Sequence, residues 1–153
     1  MKKLQFKTEI KAPAEKVYNV MLGIDNIETY QQWTLVFNPT STYKGSWEKG
    51  SKIHFIGTDE NGKQGGMVSE IVENIPNRFI SICHCGILDG ATEITDGPEV
   101  EKWAGGHENY SIEEIYDITI VTVETDTTED FTDFFMQVWP KALNLLKEIA
   151  EKP

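Results

Sequence analysis

The sequence predicts an α+β domain in which one antiparallel sheet is covered by a long C-terminal helix. Three observations carry this: an alternating N-terminal segment followed by two short amphipathic stretches, a long middle region of β-favouring runs broken by turn residues, and a final segment of helical periodicity. A chain of 153 residues suits one domain spanning 1–153, large enough to bury a core without disulfides or a structural metal.

The opening run LQFKTEIKA, residues 4–12, alternates apolar and polar side chains as a half-buried strand does. Pro13 suits the first position of a helix, and Val17, Val20 and Met21 then recur at helical spacing. A second short helix follows in DNIETYQQW, with Asp25 or Asn26 as its cap. From Tyr43 onward, turn signals at Gly45, Gly50, Asn61-Gly62 and Pro76-Asn77 divide an antiparallel meander, and Asn61-Gly62 reads as a tight hairpin turn in which both residues take positive φ. Gly65-Gly66 marks a bulge or a close backbone approach. Residues 87–106 keep no strand period and, from Leu88 on, carry five carboxylates, which predicts a long acidic loop. HENYSIEE and DITIVTVET resume the sheet and pair across a turn at 115–117. In the last segment Thr127 and Asp130 resemble a capping box. Phe131, Phe135, Val138, Ala142, Leu145 and Ile149 then form one stripe, widened by Phe134, Trp139 and Leu146. Pro140 interrupts it by removing the bond to the Met136 carbonyl, a cost of about 3 kcal/mol in a regular helix. The resulting bend either follows a curved sheet or lifts one end of the helix away from it and leaves a cavity.

This order of elements is that of the helix-grip fold. Almost end to end, the chain resembles the START-like SRPBCC superfamily, in particular the branch related to the activator of the ninety-kilodalton heat-shock chaperone's ATPase. The resemblance is carried by IKAPAEKVYNVML at 10–22, GSWEKGSKIHF at 45–55, GGMVSEIVENIPNRFISI at 65–82, ENYSIEE at 108–114 and FFMQVWPKALNLLKE at 134–148. It implies a curved sheet wrapped around the last helix, with a cavity that in other members holds lipids, hormones or polyketides and in a few supports cyclase or hydroxylase chemistry. The resemblance covers the sheet-and-helix domain; the separate N-terminal domain with which that branch's activators contact the chaperone has no counterpart in these residues.

Twenty-five acidic against fourteen basic residues give a formal charge of −11, which repels phosphate backbones and anionic lipid surfaces. Nucleic acid and membrane are therefore excluded as expected partners. No continuous apolar run of signal-peptide or membrane-spanning length occurs, and the two cysteines are neighbours, which fits a reduced, cytoplasmic, soluble protein. Neither a phosphate-binding glycine loop nor a nucleophile elbow is present, so no cofactor is implied.

The segment ICHCG, residues 82–86, looks like a metal or redox motif. In a strand, however, Cys83 and Cys85 face one side and His84 the other, so the three cannot converge on one ion without a bulge, and zinc would need two more ligands. A disulfide between them would span Cα atoms about 6.6 Å apart with parallel Cβ vectors, so the segment reads as a wall. His84 shares its face with Ile80 and Ile82, as a hydrogen-bonded core histidine or as the polar anchor of an apolar pocket. Glu70 and Glu108 would serve as general bases if turned inward.

The resulting expectation is a cavity between the final helix and the sheet that binds an apolar or aromatic small molecule, without established catalysis and without a metal. Its walls are Trp33, Phe37, Phe55, His84, Trp103, Tyr110, Phe135, Val138 and Trp139, with His84 and Tyr110 orienting the ligand. Two alternatives stand beside it: a cyclase- or hydrolase-like enzyme using the pocket His or Glu, and an interaction module of the chaperone-activator kind. The oligomeric expectation is a monomer or a weak homodimer.

Overall fold

The computed structural model describes residues 1–153. Strand β1 (Lys2–Ile10) leads into helices α1 (Ala14–Leu22) and α2 (Ile27–Thr34). Strands β2 (Thr42–Gly45), β3 (Lys52–Thr58), β4 (Gln64–Ile75), β5 (Phe79–Asp89) and β6 (Thr92–Ile94) follow. A short helix α3 (Pro98–Glu101) precedes β7 (Gly106–Ile115) and β8 (Ile118–Thr127), and helix α4 (Glu129–Glu151) ends the fold. All pairings are antiparallel, in the order β1-β8-β7-β5-β4-β3-β2, with β6 paired to β5.

The pleat explains which side chains the helices cover. Ile53, Ile71, Ile80, Ile82, Tyr110, Ile112, Val121 and Val123 point to one face. There they meet Val17, Met21 and Leu22 of α1, Tyr30 and Trp33 of α2, and Trp139, Ala142, Leu143 and Leu146 of α4 in one core. A smaller cluster, Ile56, Val68 and Leu88 with Cys85, lies on the opposite face. No helix is long and apolar enough to cross a membrane.

Several local expectations change. Asn26 rather than Asp25 caps α2, accepting from Glu28 N at 3.1 Å. Pro13 occupies the cap of α1 instead of its first turn, and the free Ala14 N–H donates to Glu114 Oε1 at 2.6 Å. The β3–β4 connection is a five-residue loop, not a two-residue turn. Only Gly62 takes positive φ (79°), because the Asp59 side chain closes the loop by accepting from both Asn61 N and Lys63 N at 2.9 Å. At Gly66 the close-approach reading holds, since a Cβ there would sit 1.8 Å from the Phe55 carbonyl oxygen; the bulges lie further along β4 and β5. Residues 87–106 are not one loop. β5 runs on to Asp89 and turns back as β6, while α3 buries Val100; the acidic side chains mask this hairpin because they occupy its solvent side.

The last helix departs most from its sequence pattern. Thr127 ends β8 and is buried, so the capping position falls to Thr128, which makes no side-chain cap bond. Every fully buried residue of α4 lies at or beyond Trp139. The turns before Pro140 leave Phe131 57%, Phe134 44% and Met136 53% exposed. The expected stripe therefore applies to the C-terminal part, shifted onto Trp139, Ala142, Leu143, Leu146 and Ala150. The proline lies on the solvent side, where its missing donor costs least.

Candidate functional site

Beneath the N-terminal turns of α4, where the helix buries nothing completely, three neighbouring strands bring together a chain of polar side chains. Ser69 of β4 and His84 of β5 stand opposite each other, and Glu108 and Tyr110 follow on the same face of β7. Ser69 Oγ lies 2.7 Å from His84 Nδ1, and His84 Nε2 lies 3.2 Å from Glu108 Oε1. The Tyr110 hydroxyl donates to Glu108 Oε2. Burial, reinforced by the Glu108 charge and then by Tyr30, raises the Tyr110 phenol well above its ordinary value of 10.0, so it keeps its proton and remains the donor. A neutral imidazole with its proton on Nε2 satisfies the whole chain, because Nε2–H then donates to Glu108 and Nδ1 accepts from Ser69.

A bulge positions His84. Ser69 pairs with His84 while Val68 pairs with Gly86, which leaves Cys85 as the extra residue on β5. Cys85 packs outward beside Val68 and donates its thiol to the Val68 carbonyl at 3.3 Å, and Ile87 returns to the inner face. Burial raises the thiols of both Cys83 and Cys85, which keeps them protonated. The other histidines are committed elsewhere: His54 Nε2 is 2.6 Å from Glu93 Oε2, and His107 Nδ1 is 3.4 Å from Ser81 Oγ. No three His, Cys, Asp or Glu side chains converge as metal ligands.

His84 and Glu108 open into a cavity of about 300 Å³, at the lower end of the range for small-molecule sites. Met67, Ile87, Trp103, Phe131 and Phe135 form its apolar wall, and Thr125, Asp126, Thr127 and Thr128 complete it. No lysine or arginine lines it. A second, shallower depression of about 560 Å³ carries Phe37 and Phe55 together with Asp59, Lys63 and Asp89, and it meets the first at Met67.

The expected wall residues therefore divide. His84, Trp103 and Phe135 line the cavity, and Tyr110 lies under it, bonded to Glu108. Phe37 and Phe55 face the second depression, with the Phe55 ring 6.1 Å from that of His84. Trp33 and Trp139 are core residues rather than wall. The Trp33 indole N–H donates to the Met21 carbonyl at 2.9 Å, and its ring packs against Trp139 at 5.9 Å. Val138 is half-buried on α4 and does not line the cavity. Of the two candidate bases, Glu108 faces inward and Glu70 faces solvent, because its neighbours Met67, Ser69 and Ile71 take the inner face of β4. Sequence reasoning missed Ser69, Asp126 and Phe131. The inward parity shared by Met67, Ser69 and Ile71 was the available signal for the first.

No protein-family model and no curated protein matches the sequence. Solved structures do match. The Aha1 dimer from Colwellia psychrerythraea superposes with a TM-score of 0.68 at 24% identity, over 99% of this chain and 97% of that one. An uncharacterized protein from Rhizobium leguminosarum gives 0.67 at 15% identity, over 99% and 95%. A protein from Chromobacterium violaceum gives 0.67 at 13% identity, over the whole of both chains. These likenesses establish the fold: a helix-grip domain like that of the Aha1 dimer.

Proposed function

We propose that this Aha1-like helix-grip chain binds a small, largely apolar aromatic molecule in the cavity beneath the N-terminal turns of α4. The observation that carries the reading is the separation of roles along α4. Its C-terminal part seals the core through Trp139, Leu143 and Leu146. Its N-terminal part instead roofs a pocket of about 300 Å³ with Phe131 and Phe135. An apolar wall with a few fixed polar groups is the usual composition of a ligand site, and here the polar groups are His84 and Glu108.

The test is ligand-induced stabilisation compared with a filled pocket. A ligand at about 100 times its dissociation constant stabilises the fold by about 2.7 kcal/mol, which raises Tm by roughly 5–10 °C in a domain of this size. Small aromatic compounds should give such a shift in the parent chain and none in Ile87→Trp, which occupies the cavity. A shift retained in Ile87→Trp, or no shift with any aromatic compound, would refute the reading.

The hydrogen-bonded chain from His84 through Glu108 to Tyr110 favours a second reading, acid–base chemistry on the bound molecule. Ser69 does not serve as a nucleophile in it, because the side chain is 0% exposed on a strand paired on both sides. Conversion of a bound compound that disappears in His84→Gln while binding persists would favour catalysis over binding alone.

A further inference from the structure

We propose that the cavity selects molecules bearing a protonated amine on an aromatic body, an inference that rests on the binding reading above. The charge of the lining carries it. Glu108 and Asp126 are the acidic residues of its lining, and no lysine or arginine stands among them. If His84 is neutral, the lining holds two negative charges; if His84 is protonated, one remains in excess. Neither state makes the cavity cationic. The Trp103, Phe131 and Phe135 rings lie on the same wall, and aromatic faces attract an ammonium group as carboxylates do.

Two features oppose this and are outweighed. The N-terminus of α4 borders the cavity at Thr128 and is equivalent to about half a positive charge. Glu129 and Asp130 in the first turn already answer it. Lys2 and Lys102 line a separate surface depression beyond Thr128, which they share with Glu129 and Asp133, and Lys102 pairs with Glu99 at 3.6 Å. An anionic ligand would thus meet two carboxylates at close range in a partly desolvated site, where like charges are penalised more than in water. Asp126 has one oxygen engaged, with Oδ2 accepting from His107 N at 2.9 Å, and Glu108 accepts from Tyr110 and His84. These bonds hold both carboxylates in place without neutralising them.

Calorimetric titration with three isosteric probes, 2-naphthylmethylamine, 2-naphthylmethanol and 2-naphthoate, tests the inference in the full chain. The amine should bind at least about tenfold tighter than the alcohol, equivalent to about 1.4 kcal/mol, and the carboxylate weakest of the three. Glu108→Gln and Asp126→Asn keep the acceptor oxygens for Tyr110 and His107 N and remove the charge. Each should reduce the amine-to-alcohol ratio, with an unchanged far-ultraviolet circular dichroism spectrum showing that the variants are folded. If the alcohol or the carboxylate binds as tightly as the amine, the amine preference is refuted and the cavity reading stands. An amine preference unchanged in both variants refutes the assignment of its source. Binding of none of the three refutes the amine inference, and the cavity reading is then decided by the stabilisation test above.

Discussion

Replacing Trp139 by alanine separates a residue that holds the fold together from one that contacts ligand. The Trp139 ring is 3% exposed and packs against Phe37 at 4.9 Å, Trp33 at 5.9 Å, and Phe6 and Tyr110 at 6.2 Å. A tryptophan side chain covers roughly 150–250 Å², so at about 25 cal/mol per Å² its burial contributes on the order of 4–6 kcal/mol. Alanine keeps a minor part of this, and four aromatic neighbours around one site cannot all collapse into the void. The expected loss is about 3–5 kcal/mol, a large fraction of the stability of an ordinary domain. Urea unfolding followed by far-ultraviolet circular dichroism reads it as a lower midpoint at unchanged slope. Phe131→Ala is the comparison, since that ring is 57% exposed and its removal should cost under about 1 kcal/mol while weakening aromatic ligands. A loss below about 1 kcal/mol for Trp139→Ala would refute the claim that the core of α4 begins at this residue.

Tyr110→Phe removes the hydroxyl that donates to Glu108 and leaves a half-buried carboxylate oxygen without its partner; a destabilisation of about 1–3 kcal/mol is expected by urea unfolding. A neutral result would mean that the Glu108–Tyr110 bond does not form in solution. The alkaline limb of stability follows from three phenols, Tyr18, Tyr30 and Tyr110, all raised above the ordinary 10.0 mainly by burial. Above that pH the unfolded chain loses phenolic protons that the folded chain retains, so this contribution is complete below about pH 10 and declines as pH rises past it, by up to about 1.4 kcal/mol per pH unit for each group. Ultraviolet titration of phenolate should show three of the five tyrosines ionising later than a free phenol; five phenols titrating together near 10 in the folded protein would contradict their burial.

Legibility from the sequence followed the range of the interactions. Element types were readable because the pleat and the helical repeat impose local periods, and the alternation of Ile80, Ile82 and His84 correctly set the two cysteines on the other face. The start of α4 was not readable, because whether Thr127 caps a helix or ends a strand depends on its pairing with Lys2 of β1, remote in the chain. The β5–β6 hairpin was obscured by acidic residues that lie on its solvent side. Among the candidate residues, His84, Trp103 and Phe135 share one cavity, as their type and parity allow. Trp33 and Trp139 were misplaced because a large aromatic on an inner face fills a core or lines a cavity with the same sequence signature.

The sequence by itself determined the class of the domain and the order of its elements, both consequences of backbone periodicity and covalent reach. Only the tertiary structure decided that Ser69, His84, Glu108 and Tyr110 form one connected chain, that Glu108 and not Glu70 faces inward, and that α4 seals the core on one side of Pro140 while roofing a cavity on the other. Those outcomes depend on strand register, on a one-residue bulge and on the seating of a helix over a sheet. They arise from contacts between residues distant in the chain, which no local pattern encodes.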